Sequence, residues 1–180
     1  MNEYDSERMA EILEPFNYSP VNEPDQADLI ILNTCHIREK AAEKIYSELG
    51  RLKKINNKSN REPKIAVAGC VGQAEGQEII NRSPIVDLVF GPLTYHQLPE
   101  MLESIETKKG FPNKKLVNIE VPDIDKFNQL KGSRKSLRSI SSLLSVQEGC
   151  DKFCSFCVVP YTRGVEISRP ANQILKEAVE

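Results

Sequence analysis

Three of the chain's five cysteines, Cys150, Cys154 and Cys157, fall within eight residues of the stretch EGCDKFCSFCVVPYTRGVEISRP, which runs from Glu148 to Pro170. Their spacing is C-x3-C-x2-C. Four chemistries compete for such a set. A tetrahedral zinc site wants a fourth protein ligand, and the only histidines, His36 and His96, are far away in sequence. A redox pair at Cys154-x-x-Cys157 leaves Cys150 without a role. Three inert buried cysteines would be an improbable coincidence at this density. An iron–sulfur cluster fits best, because thiolates are its usual ligands. Three thiolates on a four-iron cluster leave one iron open, and an open iron can chelate the amine and carboxylate of a small molecule.

Cys35 (LNTCHIREK) and Cys70 (VAGCVGQ) are the other two cysteines, and each directly follows a short apolar run. If both runs are parallel strands, both cysteines emerge at the same sheet edge and could share a site. The opposing reading is that lone cysteines are usually small buried hydrophobes. His36 adjoins Cys35, but consecutive residues in extended chain point apart, so His36 is read as surface rather than ligand.

The elements that would position these residues are legible as periodicity. Asp5 or Ser6 is expected to cap a first helix ending near Glu14. ADLIILN (Ala27 to Asn33), KIAVAG (Lys64 to Gly69) and IVDLVFG (Ile85 to Gly91) read as buried strands. Helices are expected over Arg38 to Asn56, Glu75 to Asn81 and Thr94 to Ile105, the last with a capping threonine. Alternating strands and helices predict parallel βαβ units with right-handed crossovers. A sheet of this kind normally opens on a strand, whereas this chain opens on a helix, so a first strand is expected to be missing before Met1. LVNIEV is one short strand within a polar segment from 107 to 137. ISSLLSVQ (Ile140 to Gln147) is expected to lead as a strand into the cysteine loop, and Ser168-Arg169-Pro170 to open a final helix.

At 180 residues and 39% hydrophobic, the chain can bury a core. No apolar run approaches the roughly 20 residues of a membrane span. The acidic start MNEYDSERMA is no export signal, and unexported cysteines stay reduced, so a cytoplasmic location is expected. A net charge of −2 gives no global field for nucleic acid. The basic stretches Lys108 to Lys115 and Lys131 to Arg138 read as solvated linker.

The cysteine spacing resembles the signature of radical S-adenosylmethionine enzymes. Phe156 matches the aromatic position that lies against the adenine in that family, its bland alternative being an ordinary core phenylalanine. The flanking VVPYTRG and SRP narrow the resemblance to tRNA methylthiotransferases of the MiaB type. It is strong over Ser145 to Pro170. NTCxIRE and GCVGQ are similar to two of the three cysteine motifs of that family's N-terminal domain. Met1 and Asn2 match the end of the third motif, whose cysteine would fall before the first residue.

The resemblance implies two 4Fe-4S clusters in the complete protein. One would be held by Cys150, Cys154 and Cys157, with S-adenosylmethionine on its open iron. The other would be held by Cys35 and Cys70, with a third ligand missing from this chain. It implies methylthiolation at C2 of N6-isopentenyladenosine beside the tRNA anticodon, with the anticodon stem-loop as partner and the electron and sulfur donors unidentified. It also implies a monomer with no membrane partner. Two other functions compete: methylthiolation of a ribosomal-protein aspartate, and a non-enzymatic iron–sulfur or zinc module. The expected fold is α/β. Residues 1–106 would form a three-layer parallel domain, 107–137 a linker, and 138–180 the start of a radical S-adenosylmethionine βα barrel, cut short and not expected to be active alone. Tyr161 and Arg163 follow the cluster loop. Two readings stand for them: shaping the site, or, more blandly, Tyr161 packing and Arg163 pairing with a nearby acid.

Overall fold

The structure is a computed structural model and describes residues 2–36, 39–59, 62–105, 115–121, 127 and 143–179. Helix α1 spans Asn2–Leu13, strand β1 Leu29–Asn33, helix α2 Glu39–Ser59 and strand β2 Lys64–Ala68. Helices α3 (Gly69–Glu75) and α4 (Gln77–Arg82) lead to strand β3 (Leu88–Phe90), and helix α5 (Leu98–Ile105) to strand β4 (Leu116–Asn118). The four strands form one parallel sheet in the order β1-β2-β3-β4. The α/β expectation holds. Both basic stretches read as linker, apart from Lys115, lie outside the described residues, as do Ile140, Ser141 and Ser142 of ISSLLSVQ.

Alternation along each strand sends side chains to two cores. Ala66, Ala68, Leu88 and Phe90 meet Met9 and Leu13 of α1 and Leu98, Met101, Leu102 and Ile105 of α5. Ile65, Val67 and Val89 meet Ile45, Leu49 and Leu52 of α2, together with Val71, Ile79 and Ile80 of α3 and α4. Three layers result, with the sheet in the middle. The strands step in one direction, yet α5 lies on the face opposite α2, α3 and α4. The β3–α5–β4 unit therefore has the opposite hand from the two units before it, and the three crossovers are not all right-handed.

Several boundaries differ from the sequence reading, each for a local reason. Helix α1 starts before Asp5 and Ser6. Ser6 Oγ donates to the Asn2 carbonyl, so it sits inside the helix and does not cap it. The expected single helix over Glu75 to Asn81 is two, broken at Gly76, whose φ is +47°. Thr94 Oγ1 donates to the carbonyls of Gly91 and Asn118 rather than capping, and a 3-10 turn, Tyr95–Gln97, precedes α5. LVNIEV does supply a strand, which pairs with β3 through Leu88↔Leu116 and Val89↔Val117.

The remaining elements surround the three cysteines. Strand β5 is only Gln147–Glu148, and it pairs antiparallel with β6 (Ile167–Ser168). Helix α6 spans Val159–Arg163 and helix α7 spans Ala171–Val179, with Pro170 just ahead of it as expected. Among the described residues no helix is long and apolar enough to cross a membrane.

Candidate functional site

Strands β1 and β2 run in register, Asn33 opposite Ala68, so they end at the same level. Cys35 and Cys70 lie just beyond those ends. The backbones there touch: Thr34 N–H donates to the Ala68 carbonyl at 3.2 Å, and Val71 N–H donates to the Thr34 carbonyl at 3.3 Å. Gly69 makes this approach feasible. Its φ is +82°, and a Cβ there would stand 2.4 Å from Asn33 Oδ1 and 2.8 Å from the Thr34 carbonyl oxygen. Cys70 is buried in the first turn of α3, and Cys35 and His36 are half-buried. The structure thus brings the two sequence-distant cysteines to one carboxyl edge.

The other three cysteines lie on a loop closed at its neck. The β5–β6 pairing holds its two ends, and Cys150 N–H donates to the Gly164 carbonyl at 3.2 Å. Gly149 and Gly164 both have positive φ, and a Cβ at Gly149 would fall 1.9 Å from the Val165 carbonyl oxygen. Phe153 also has a positive φ, +46°, an uncommon state for a bulky residue. Cys157 N–H donates to the Cys154 carbonyl at 2.9 Å, which folds the last two cysteines into a turn. Cys150 and Cys157 are half-buried and Cys154 is exposed.

As a donor set, three thiols on one closed loop suit a thiolate-bound cluster. Among the described residues, however, no group of three or more His, Cys, Asp or Glu side chains is gathered closely enough to hold a metal ion as it stands. Phe156 is 93% exposed, so it is not a core phenylalanine. Tyr161 is also exposed, and its ring meets Phe153 edge-on at 6.1 Å.

Arg163 is the residue the sequence read least decisively. Helix α6 packs on α3 and buries Arg163 to 4% exposure. Its Nη1 donates to Glu148 Oε1 at 2.5 Å, and its Nη2 donates to Asp5 Oδ2 at 2.7 Å and to Asn2 Oδ1 at 2.9 Å. Burial alone would lower its proton affinity, but the charges of Asp5, Cys70 and Glu148 outweigh burial and push it up. The surroundings are dry and acidic. Tyr95, buried there, has its phenol pushed well above the ordinary range, first by burial and then by Asp5. Asp5, Glu148, Asn2 and Asn33 were not picked out as site residues by the sequence. They stand at no shared periodic spacing, and only the demand of a buried arginine for acids pointed toward them.

Residues 1–91 match the family model described as "Uncharacterized protein family UPF0004". Over 178 residues the chain is 57% identical to the tRNA-2-methylthio-N(6)-dimethylallyladenosine synthase of Ruegeria sp. (strain TM1040), covering 99% of this chain and 39% of the relative. It is 57% identical over 180 residues to the synthase of the same name from Ruegeria pomeroyi, covering 100% of this chain and 40% of the relative. The synthase of the same name from Maricaulis maris is 54% identical over 179 residues, at 98% and 38% coverage. The chain therefore spans about two fifths of the length of the curated relatives it matches.

Proposed function

We propose that this chain, which belongs to the UPF0004 family, serves in methylthiolation of tRNA. The reaction would place a methylthio group on C2 of N6-isopentenyladenosine beside the anticodon, in the cytoplasm. The relatives' shared name supports the substrate class. The observation that carries the reading is the meeting of two cysteine sites. The loop with Cys150, Cys154 and Cys157 leads into α6, and α6 packs on α3, which carries Cys70 beside the strand end that leads to Cys35.

Replacing an unactivated aromatic C–H needs radical chemistry and a sulfur source. One site would start the former and the other would hold the latter. Cys150, Cys154 and Cys157 would hold one 4Fe-4S cluster, and Cys35 and Cys70 would contribute to a second. Held by the three loop cysteines, such a cluster would supply one-electron reduction of S-adenosylmethionine. The chain's own residues do the rest of the arranging. Phe156, exposed next to Cys157, offers an aromatic face for the adenine of that cofactor. Gly149 and Gly164 let the neck of the loop that carries the three thiols close.

Two measurements test this. Disrupting the gene for this chain in its host should remove the 2-methylthio nucleoside from digested tRNA, read by mass spectrometry, and leave the prenylated precursor. An unchanged nucleoside profile would sink the tRNA assignment. Anaerobic reconstitution of the chain should give bound iron and sulfide, which is lost in part when Cys150, Cys154 and Cys157 are replaced by alanine. Zinc without iron would sink the cluster assignment.

A further inference from the structure

We propose that Arg163 is a positioning residue that fixes the Cys150–Cys157 loop over the sheet edge bearing Cys35 and Cys70, through the first turns of α1. The proposal rests on the reading of the two cysteine sites given above. It adds how their relative placement is set.

The geometry is a continuous run of polar contacts from one site to the other. Asn33 ends β1, two residues before Cys35. Its Nδ2 donates to the Asn2 carbonyl at 2.7 Å and to Ser6 Oγ at 2.8 Å, which ties the start of α1 to the strand end. Asn2 and Asp5 lie on that same stretch of α1, and both accept from Arg163 Nη2. Arg163 Nη1 then reaches Glu148, two residues before Cys150. One guanidinium thereby does two jobs. The Glu148 contact closes the neck of the cysteine loop, and the Asp5 and Asn2 contacts hold that neck against the N-terminal layer.

Residue type matters here. A guanidinium presents five donors in a fixed fork, so it can serve two carboxylates on different elements at once. A lysine offers one point charge. Both acids are nearly inaccessible, Asp5 at 3% and Glu148 at 2%, so neither can fall back on water if the arginine leaves. The tie is therefore conditional on charge rather than on bulk. Undocking the loop would separate Asp5 from the guanidinium, and removing the arginine alone leaves two acids buried without its charge.

The test reads geometry. Spin labels are placed by unnatural amino acids at exposed Lys54 on α2 and Glu166 beside the loop, which leaves the five cysteines untouched. The whole chain should show one narrow label-to-label distance by pulsed dipolar spectroscopy. Arg163→Met should broaden it while the far-ultraviolet circular dichroism of the sheet domain stays unchanged. Asp5→Asn, a milder change that removes the charge of the cross-tie and leaves Glu148 with its arginine, should broaden it too, and it serves if Arg163→Met fails to fold. The triple replacement Asp5→Leu, Glu148→Leu and Arg163→Met removes every charge and should restore the narrow distance. A narrow distance in Asp5→Asn would overturn the proposal. So would a triple variant as broad as Arg163→Met, because the broadening would then not come from acids left without their arginine. Iron content is measured separately on the unsubstituted chain. Absence of iron there would refute the cluster reading without altering the distance result.

Discussion

Arg163 and Asp5 meet at 2.7 Å across 158 positions of sequence, each side chain only 4% exposed. A pair so dry is held by mutual need. Desolvating both ions offsets much of their attraction, whereas removing Arg163 alone leaves Asp5 and Glu148 buried without its charge. Arg163→Met should therefore destabilise the docked chain by about 3–5 kcal/mol, the range for breaking a buried pair from one side. Replacing Asp5, Glu148 and Arg163 together by apolar residues should cost much less. Chemical denaturation followed by circular dichroism and by loop proteolysis measures both, and equal losses would contradict the account.

Tyr4 links α1 to the last helix. Its hydroxyl donates to Glu177 Oε1 at 3.3 Å, while Arg169 pairs with the same carboxylate. Burial first, and then the charge of Glu177, raise the Tyr4 phenol to about 12. A folded-state value above the unfolded one means that the neutral form is favoured in the fold. The contribution to stability is then fully present below pH 10 and is lost as pH rises from about 10 to 12. Ultraviolet titration of the phenolate should show a late step near pH 12 with contributions from Tyr4 and from Tyr46, which is also raised to about 12. Tyr4→Phe should reduce that late amplitude and cost about 0.5–1.5 kcal/mol at neutral pH.

Gly69 decides whether β1 and α3 can abut. Alanine there meets both a positive φ and the Asn33 and Thr34 atoms that bracket the site. The nearest obstacle, Asn33 Oδ1, can shift, but the Thr34 carbonyl is main chain. Gly69→Ala should cost about 1–3 kcal/mol, as overpacking does. It should also lower iron retention at Cys35 and Cys70 more than retention by the loop. Thermal melting and iron analysis in a background lacking the three loop cysteines check this, and a stable variant with full iron would contradict it.

Much of the site's scaffold was legible because it rests on local pattern. Apolar runs ending at Asn33 and Ala68 announced two strands, and parallel order then placed Cys35 and Cys70 at one edge. The loop was legible from spacing alone. Strand length near the loop was not: Ile140 to Gln147 was expected as a strand, yet Leu143 to Val146 carry none and β5 is Gln147–Glu148, because nothing but β6 pairs with it among the described residues. Asp5 was read as a helix cap since acids favour that position, but tertiary pairing with Arg163 claims it and the helix starts earlier. The face chosen by α5 was invisible too. Its apolar stripe fits either side of the sheet, and the choice depends on α1 already lining one of them.

Iron should partition between the two sites independently. Replacing Cys150, Cys154 and Cys157 by alanine should remove only the iron attributable to the loop. Replacing Cys35 and Cys70 should leave the loop's share intact. The cysteines of each set lie on different elements, so neither needs the other's thiols. Matched anaerobic reconstitution with iron and sulfide assays reads both variants, and loss of all iron from either one would show a single shared site.

Phe156 provides the sharpest separation of folding from binding. At 93% exposure it contributes almost nothing to the core, so Phe156→Ala should change stability by no more than about 0.5 kcal/mol. An aromatic side chain left so bare next to a cluster-spaced cysteine has unused stacking surface. Stacking of a base on an aromatic ring is worth about 1–3 kcal/mol by alanine substitution. If the adenine of S-adenosylmethionine rests there, Phe156→Ala should weaken its binding to the anaerobically reconstituted chain by roughly 5- to 150-fold at unchanged melting temperature. Phe156→Tyr, which keeps the ring, should bind nearly as well as the unsubstituted chain. Equilibrium dialysis with labelled S-adenosylmethionine measures all three. Equal affinity for the alanine and tyrosine variants would remove Phe156 from the site, while a fall in affinity matched by a fall in melting temperature would assign it to the loop's own packing.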